Sequence, residues 1–470
     1  MPRASADARE RFRTTAAART RWVLPATILG SSMSFIDGSV VNVALPAMQS
    51  DFATDFSRLQ WVMNGYLLAL ASLILLGGAA GDRVGRRRIF LVGLCVFVAA
   101  SVACALAPTS VFLVGARFVQ GLGAALLTPT SLAIVSAAYD GDARGPAIGT
   151  WAAAGALMTA LGPPLGGWLV DTVGWRSIFF INVPIGAVAL LFALRLPPDD
   201  AVDRSIPLDY RGAALATLAL GLLTFGLISV GEDALGRGLV ALGCALPAAW
   251  LFVRHEARAA APMMPLTLFH DRSFSGANAL TVLLYAALGG AFFLLPLVLI
   301  QVHGYSATAA GAALLPFAII LGLGSRTAGG LIARMGPRAP LVIGPSVAAA
   351  GFLLLSLGGD HANYIVGFLP GLVVVGIGMT VAIAPLTTTV FDSAPDAMSG
   401  IASGINNAAA RAGTLVAIAA LGLSFTASPA TEAADGSALA GAYARAMVGA
   451  AVLAALSALT AAVTIRRRAA

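Results

Sequence analysis

Long apolar stretches recur along nearly the whole chain, each ending at a short polar segment rich in Arg, Gly or Pro. A bilayer core about 30 Å thick takes a helix of roughly 20 apolar residues, and the pattern predicts fourteen such spans. They lie at about 22–48, 59–81, 89–107, 111–135, 145–170, 175–196, 209–230, 237–254, 275–302, 308–333, 339–357, 363–390, 398–424 and 442–465. The fold class that follows is an all-α polytopic membrane protein.

Composition agrees. Of 470 residues 58% are hydrophobic and only 11% charged, and no soluble domain of this size is so apolar. The 52 glycines suit membrane helices whose backbones approach closely. The net charge of +7 invites a nucleic-acid reading, but the charges sit in short loops between spans, where they set orientation. All 29 basic residues are Arg. With the N-terminal tail inside, 22 fall on the cytoplasmic side, four on the outer side (Arg58, Arg176, Arg237, Arg445) and three within spans (Arg117, Arg326, Arg411). That asymmetry predicts both termini cytoplasmic, and the Arg-only, Ala-rich composition fits a high-GC bacterium, so the expected location is a bacterial inner membrane, crossed many times. The apolar run behind the basic tail is too long for a secretory signal, so it reads as the first span.

Several chemistries drop out at this level. Without any lysine there is no GxxxxGK[ST] phosphate loop, so an ATP motor would have to come from another chain. Cys95, Cys104 and Cys244 lie inside predicted spans, as packing residues and not as a disulfide framework. His255, His270, His303 and His361 have no metal-ligand spacing, so neither metal nor cofactor is expected.

The loop after span two reads Gly81-Asp82-Arg83-Val84-Gly85-Arg86-Arg87, and that after span ten Ile332-Ala333-Arg334-Met335-Gly336-Pro337-Arg338. They align at Arg83/Arg334, Gly85/Gly336 and Arg87/Arg338. Internal repeats of this kind build many secondary transporters. The predicted organisation is a cytoplasmic tail (1–21), a six-helix half (22–196), linkers with an inserted helix pair (197–274), a second six-helix half (275–465) and a short tail (466–470).

Five motifs then occur in order: Asp37 with Val41-Asn42-Val43-Ala44-Leu45-Pro46; Gly78-x3-Asp82-Arg83-x-Gly85-Arg86-Arg87; Arg117-x2-Gln120-Gly121; Gly162-Pro163-Pro164-Leu165-Gly166-Gly167; and Trp175-Arg176-x2-Phe179-x2-Asn182-x-Pro184. On these residues the sequence resembles the major facilitator superfamily, and within it the fourteen-helix drug:proton antiporters. The resemblance spans nearly the whole chain. It implies the major facilitator fold, two six-helix halves plus an inserted pair, and proton-coupled export of small amphipathic or cationic compounds such as drugs and dyes.

Asp37 is a carboxylate deep inside a span, where a charge must face protein or a water-filled cavity; such groups are functional by default. At 1.5 Å per residue Asp37 lies roughly 16 Å below the outer end of span one, and Arg117 roughly 9 Å below that of span four. A long guanidinium can cover the difference, and the resemblance links the matching Arg to proton transfer. Gly30 and Ser34 share the Asp37 face, and Gln120 continues the Arg117 face, as small or polar cavity lining. In the Asp82–Arg88 loop Gly85 permits a tight turn, and Asp82 with Arg83, Arg86 and Arg87 can latch helix ends; the resemblance implies that the motif, Gly78 included, stabilises one alternating-access state. The second copy has Ala333 in place of Asp82, so any latch there is weaker or lost. Prolines in span five each remove a backbone hydrogen bond, and the Gly162–Gly167 pattern resembles an antiporter signature. Asn406, Asn407 and Arg411 resemble a family Asn…Arg segment, readable equally as interhelical bonding or as substrate contact. Trp61, Tyr66, Tyr285 and Phe292 are further candidates for a cavity wall.

The leading function is therefore export of small molecules in exchange for protons across the lipid bilayer. Export of a single metabolite or antibiotic, or symport, is the same-class alternative. An enzyme reading lacks a catalytic constellation within the spans, and a receptor reading lacks a sensor domain. A periplasmic adaptor and an outer-membrane channel are compatible additional partners.

Overall fold

The computed structural model describes residues 21–197, 207–232, 234–360, 363–395, 398–424 and 436–466. The tails beyond Arg21 and Arg466 and most of the 197–208 linker lie outside the described residues. Among those described, thirteen helices are long and apolar enough to cross a membrane, and a fourteenth apolar helix, Ser177–Ala193, is shorter. In chain order they are α1 (Val23–Phe52), α2 (Phe56–Val84), α3 (Arg86–Ala105), α4 (Ser110–Ala138), α5 (Arg144–Thr172), α6 (Ser177–Ala193), α7 (Tyr210–Gly231), α8 (Leu235–Glu256), α9 (Arg272–Gln301), α10 (Ala307–Gly324), α11 (Arg338–Ser356), α12 (Tyr364–Asp392), α13 (Ser399–Ala420) and α14 (Gly436–Thr464). The short one, α6, is broken at Ile181 between Ser177–Phe180 and Asn182–Ala193.

Helix packing repeats with an offset of eight. In the first half α2 and α3 pack on α4, α1 on α5 and α6, and α3 on α6. In the second half α10 and α11 pack on α12, α9 on α13 and α14, and α11 on α14. The two principal seams between halves, α2 with α13 and α5 with α10, exchange under the same offset. Helices α7 and α8 pair with each other, α7 leaning on α2 and α13 across one seam. Asp209 caps the start of α7 through the Gly212 N–H and meets His255 Nε2 of α8 at 2.7 Å, which pins the base of this pair.

The two repeat loops share one backbone device. Gly85 and Gly336 take φ of 114° and 71°, a region that other residues rarely adopt, and each turns the chain between consecutive helices. Beyond the turn, Arg87 Nη2 donates to the Leu194 carbonyl just past α6, and Arg338 Nη2 to the Ala462 carbonyl near the end of α14. Cations at helix C-termini satisfy carbonyls that have no intrahelical partner.

Hydrogen bonds between the halves gather at one end of the bundle, where α1 and α5 finish. Gln301 donates to Gln49 across 2.8 Å. Asp171 of α5 receives the Ala307 and Thr308 N–H groups and the Thr308 hydroxyl at the start of α10, at 2.6–3.1 Å. Gln60 of α2 donates to the Ile418 and Ala419 carbonyls of α13.

Candidate functional site

At the centre of the first half Asp37 and Arg117 are both 0% exposed. Arg117 Nη1 lies 2.5 Å from Asp37 Oδ2 and donates also to Gln120 Oε1 at 2.7 Å, while its Nε donates to the Val62 carbonyl. The Gln120 amide nitrogen donates to Asp37 Oδ1 and to the Ser101 hydroxyl, both at 2.9 Å. Asn182 donates to the same hydroxyl. The guanidinium carbon stands 4.5 Å from the Tyr66 ring centroid and 5.7 Å from that of Phe179. Helices α1, α2, α3, α4 and α6 thus each contribute to one buried network. A buried charge is costly unless it is paired and its remaining polar atoms are bonded; here the acid has both oxygens engaged, while Nη2 of Arg117 has no hydrogen-bond partner among the described residues.

Some expected positions change on this geometry. Ser34 is buried and bonds the Tyr66 hydroxyl at 2.9 Å, so both belong to the packing around Arg117 and not to a cavity wall. Gln120 likewise serves Asp37. Gly30 is a packing site, because a side chain there would meet the Phe90 ring. Trp61 packs toward Phe225 of the inserted α7, and Phe292 makes an edge-on contact with Phe317 at 4.7 Å. Ser101 and Asn182 were not singled out as site residues. The signal for Asn182 was its place in the last motif, and for Ser101 a lone hydroxyl within an apolar span.

A cavity of about 160 Å³ opens in the second half, toward the end of the bundle opposite the inter-half hydrogen bonds. Its walls are Tyr285 of α9, Thr387, Val390 and Phe391 of α12, and Ser403, Asn406, Asn407, Ala410 and Arg411 of α13. The Asn406 amide nitrogen donates to Asn278 Oδ1 and Thr281 Oγ1 of α9, and that of Asn407 to the Ser403 carbonyl. Arg411 has no hydrogen bond or ion pair among the described residues.

In the Asp82 loop, Arg86 Nη2 and Nε reach Asp82 Oδ1 at 2.9 and 3.0 Å, and Arg86 Nη1 reaches the Ala133 carbonyl of α4. Arg83 is half-buried. Gly78 has ordinary room; the close approach is one residue earlier, where a Cβ on Gly77 would run into the Ala125 carbonyl of α4. The helix α5 continues through Pro163 and Pro164. Side chains at Gly162 and Gly166 would strike Ser39 and Val40 of α1; one at Gly167 would strike the Ala307 carbonyl of α10, and one at Gly311 the Pro163 carbonyl. This motif therefore holds α5 against its own half and against the other half at once. Trp175 and Arg176 close on Asp51 at 3.1 and 2.7 Å.

Residues 27–418 match the family described as Major Facilitator Superfamily. The chain belongs to the Major Facilitator Superfamily. Membership makes it a transporter and not an enzyme. Among curated major facilitator proteins it is 38% identical to the multidrug resistance protein Stp of Mycobacterium tuberculosis, over 85% of this chain and 74% of that one. It is 37% identical to the methylenomycin A resistance protein of Bacillus subtilis, over 85% and 86%, and 34% identical to the tetracenomycin C resistance and export protein of Streptomyces glaucescens, over 85% and 75%. Solved structures share the fold at low identity. A D-xylose–proton symporter superposes with a TM-score of 0.69 at 15% identity, over 95% of this chain and 98% of that one. A bacterial homologue of the lysosomal transporter Spinster, in an inward-facing unoccupied state, gives 0.65 at 17%, over 94% and 96%.

Proposed function

We propose that this major facilitator protein is a drug exporter of the fourteen-helix type that exchanges amphipathic compounds for protons, with Asp37 as the proton carrier. The observation that carries the reading is the fully buried Asp37–Arg117–Gln120 network. A carboxylate at that depth is costly and is functional by default, and its anionic form depends on a guanidinium that helix movement can withdraw. The Asp82 end faces the cytoplasm in this proposal, so the hydrogen-bonded end faces out and the cavity opens inward. Alternating access then consists of parting the Asp171 and Gln49 contacts while the cytoplasmic ends close. The names of relatives, with multidrug resistance, antibiotic resistance and export among them, support outward movement of drug-like cargo.

The test is transport by purified protein in liposomes under an imposed proton gradient, with no nucleotide present. Uphill movement of a fluorescent drug should stop when an uncoupler collapses the gradient. Uphill movement that survives the uncoupler rejects proton coupling, and reporter fusions that place the C-terminus outside the cytoplasm reject the orientation.

A further inference from the structure

The second-half cavity holds one charge, and that charge is unanswered. Each of the other arginines considered so far in a structured contact has an acid or carbonyl: Arg117 has Asp37, Arg176 has Asp51, Arg86 has Asp82. Arg411, half-buried on α13, has neither among the described residues, and none of the residues lining its cavity is acidic.

We infer that the cavity receives compounds bearing a carboxylate or comparable anionic group on a flat apolar body, with Arg411 as the anion-binding residue. This rests on reading the cavity as the cargo site. A half-buried guanidinium has lost part of its hydration and gains most from a ligand that returns charge-assisted hydrogen bonds. Its planar fork fits a carboxylate through two parallel bonds, which an ammonium could not do. The amide nitrogen of Asn406 is committed to Asn278 and Thr281, and one hydrogen of Asn407 to the Ser403 carbonyl. Arg411 is thus the one charged donor open to cargo, with the Tyr285 and Ser403 hydroxyls as neutral donors in the same wall. Tyr285, Val390 and Phe391 supply apolar and aromatic surface for the body of the ligand.

A purely cationic cargo fits this state less well. Arg411 repels it, and the acid that could attract it is unavailable, since Asp37 Oδ2 is held by Arg117 and Oδ1 by Gln120.

The experiment is equilibrium binding to the purified full-length protein in lipid nanodiscs, using a fluorescent coumarin carboxylate and its neutral ethyl ester. Wild type is expected to bind the acid more tightly than the ester. In Arg411→Gln the affinity for the acid should fall about tenfold or more, with the ester changed less than about twofold; Arg411→Lys should retain an intermediate preference, because it keeps the charge and loses the fork. Ester binding reports that the cavity is intact in each variant. Parallel loss of acid and ester, a wild-type preference for the ester, or wild-type affinity for the acid in Arg411→Gln overturns the inference. Because the readout is binding and not transport, the two readings fail separately. Charge-selective binding without gradient-driven movement sinks the export proposal alone; gradient-driven movement with no selectivity at Arg411 sinks this one alone.

Discussion

The two halves repeat one helix arrangement and place their polar residues in opposite ways. In the first, a carboxylate and a guanidinium are sealed among five helices, wholly out of solvent. In the second, the corresponding interior joins α9 to α13 through neutral groups, Asn278, Thr281 and Asn406, and opens into a cavity whose one charged lining residue is Arg411. The same packing thus encloses two kinds of interior. A sealed ion pair responds to a proton, since protonation removes one of two charges that sustain each other in a low dielectric. An open, mostly neutral cavity can accept varied shapes, since exposed aromatic and aliphatic surface is tolerant of the ligand it meets. On the proposed reading, division of labour between halves would let cargo change without retuning the proton site.

The largest expected effect comes from removing the acid on the sealed side. In Asp37→Asn, gradient-driven export should drop to the background of empty liposomes, because an amide cannot carry a proton from one side to the other. Cargo binding in the other half should survive within about twofold. A cargo that displaces the Asp37 proton binds more weakly as pH falls, and that dependence should flatten in the variant. Wild-type export with unaltered pH dependence would make Asp37 structural and erase the contrast between halves.

The converse change should be milder and of a different kind. Asn406→Ala removes two hydrogen bonds to α9, each worth about 0.5–1.5 kcal/mol. We expect a several-fold change in KM that differs between drugs, with the pH profile kept. If Asn406→Ala instead shifts the pH profile for all drugs equally, the halves are not separate in function.

Much of this was legible in the sequence, for physical reasons that also mark where legibility stops. Apolar length alone identifies a membrane span, so the helices could be placed, and the short α6 was found because its loop motif and its apolar run coincide. Asp37 and Arg117 were visible because charge inside a span is costly and each needs a partner at matching depth. Their neighbours were not, since whether Ser34 or Gln120 faces a cavity or an ion pair depends on helix rotation, which small residues leave undetermined. The close approach at Gly77 has the same origin: Gly77 and Gly78 are both glycine, and only the path of α4 decides which one the Ala125 carbonyl overlies. Aromatic residues were the least informative. Trp61 and Phe292 pack on neighbours while Tyr285 lines the cavity, and nothing in residue type separates them.

At the seam between halves, Asp171 offers a test of what keeps the cavity on one side. It is exposed, yet it receives three hydrogen bonds from Ala307 and Thr308, with Gly167 and Gly311 bringing the helices into contact beside it. Asp171→Ala should loosen this end and leave α5 and α10 packed by their glycines. Spin labels on the two helix ends should show a broader, longer distance distribution, and transport should slow by a few-fold. An unchanged distribution would assign the closure to the glycine contacts alone.

The smallest effect concerns the paired loops, and it separates a latch from a turn. Both loops have a glycine with positive φ and an arginine bonded near the end of a later helix of the same half, so these features belong to the turn. Only the first has Asp82 with Arg86; the second has Ala333 and Pro337 at those positions. The ion pair is about half exposed and spans the turn at Gly85, and exposed pairs of this kind are worth on the order of 0.5 kcal/mol. Asp82→Asn should therefore lower the melting temperature by no more than a degree or two. Its effect on transport depends on whether that small energy acts in one conformation only, because a bias of this size changes a two-state ratio by about twofold. Ala333→Asp alone should do nothing, since Pro337 offers no cation, whereas Ala333→Asp with Pro337→Arg should rebuild the pair and shift the balance of states by a similar factor. Spin-label distances across the ends of α2 and α10 that lead into these loops measure both. If Asp82→Asn alters melting and leaves the distances unmoved, the loop is a turn with a decorative pair, and the difference between the two copies has no bearing on alternating access.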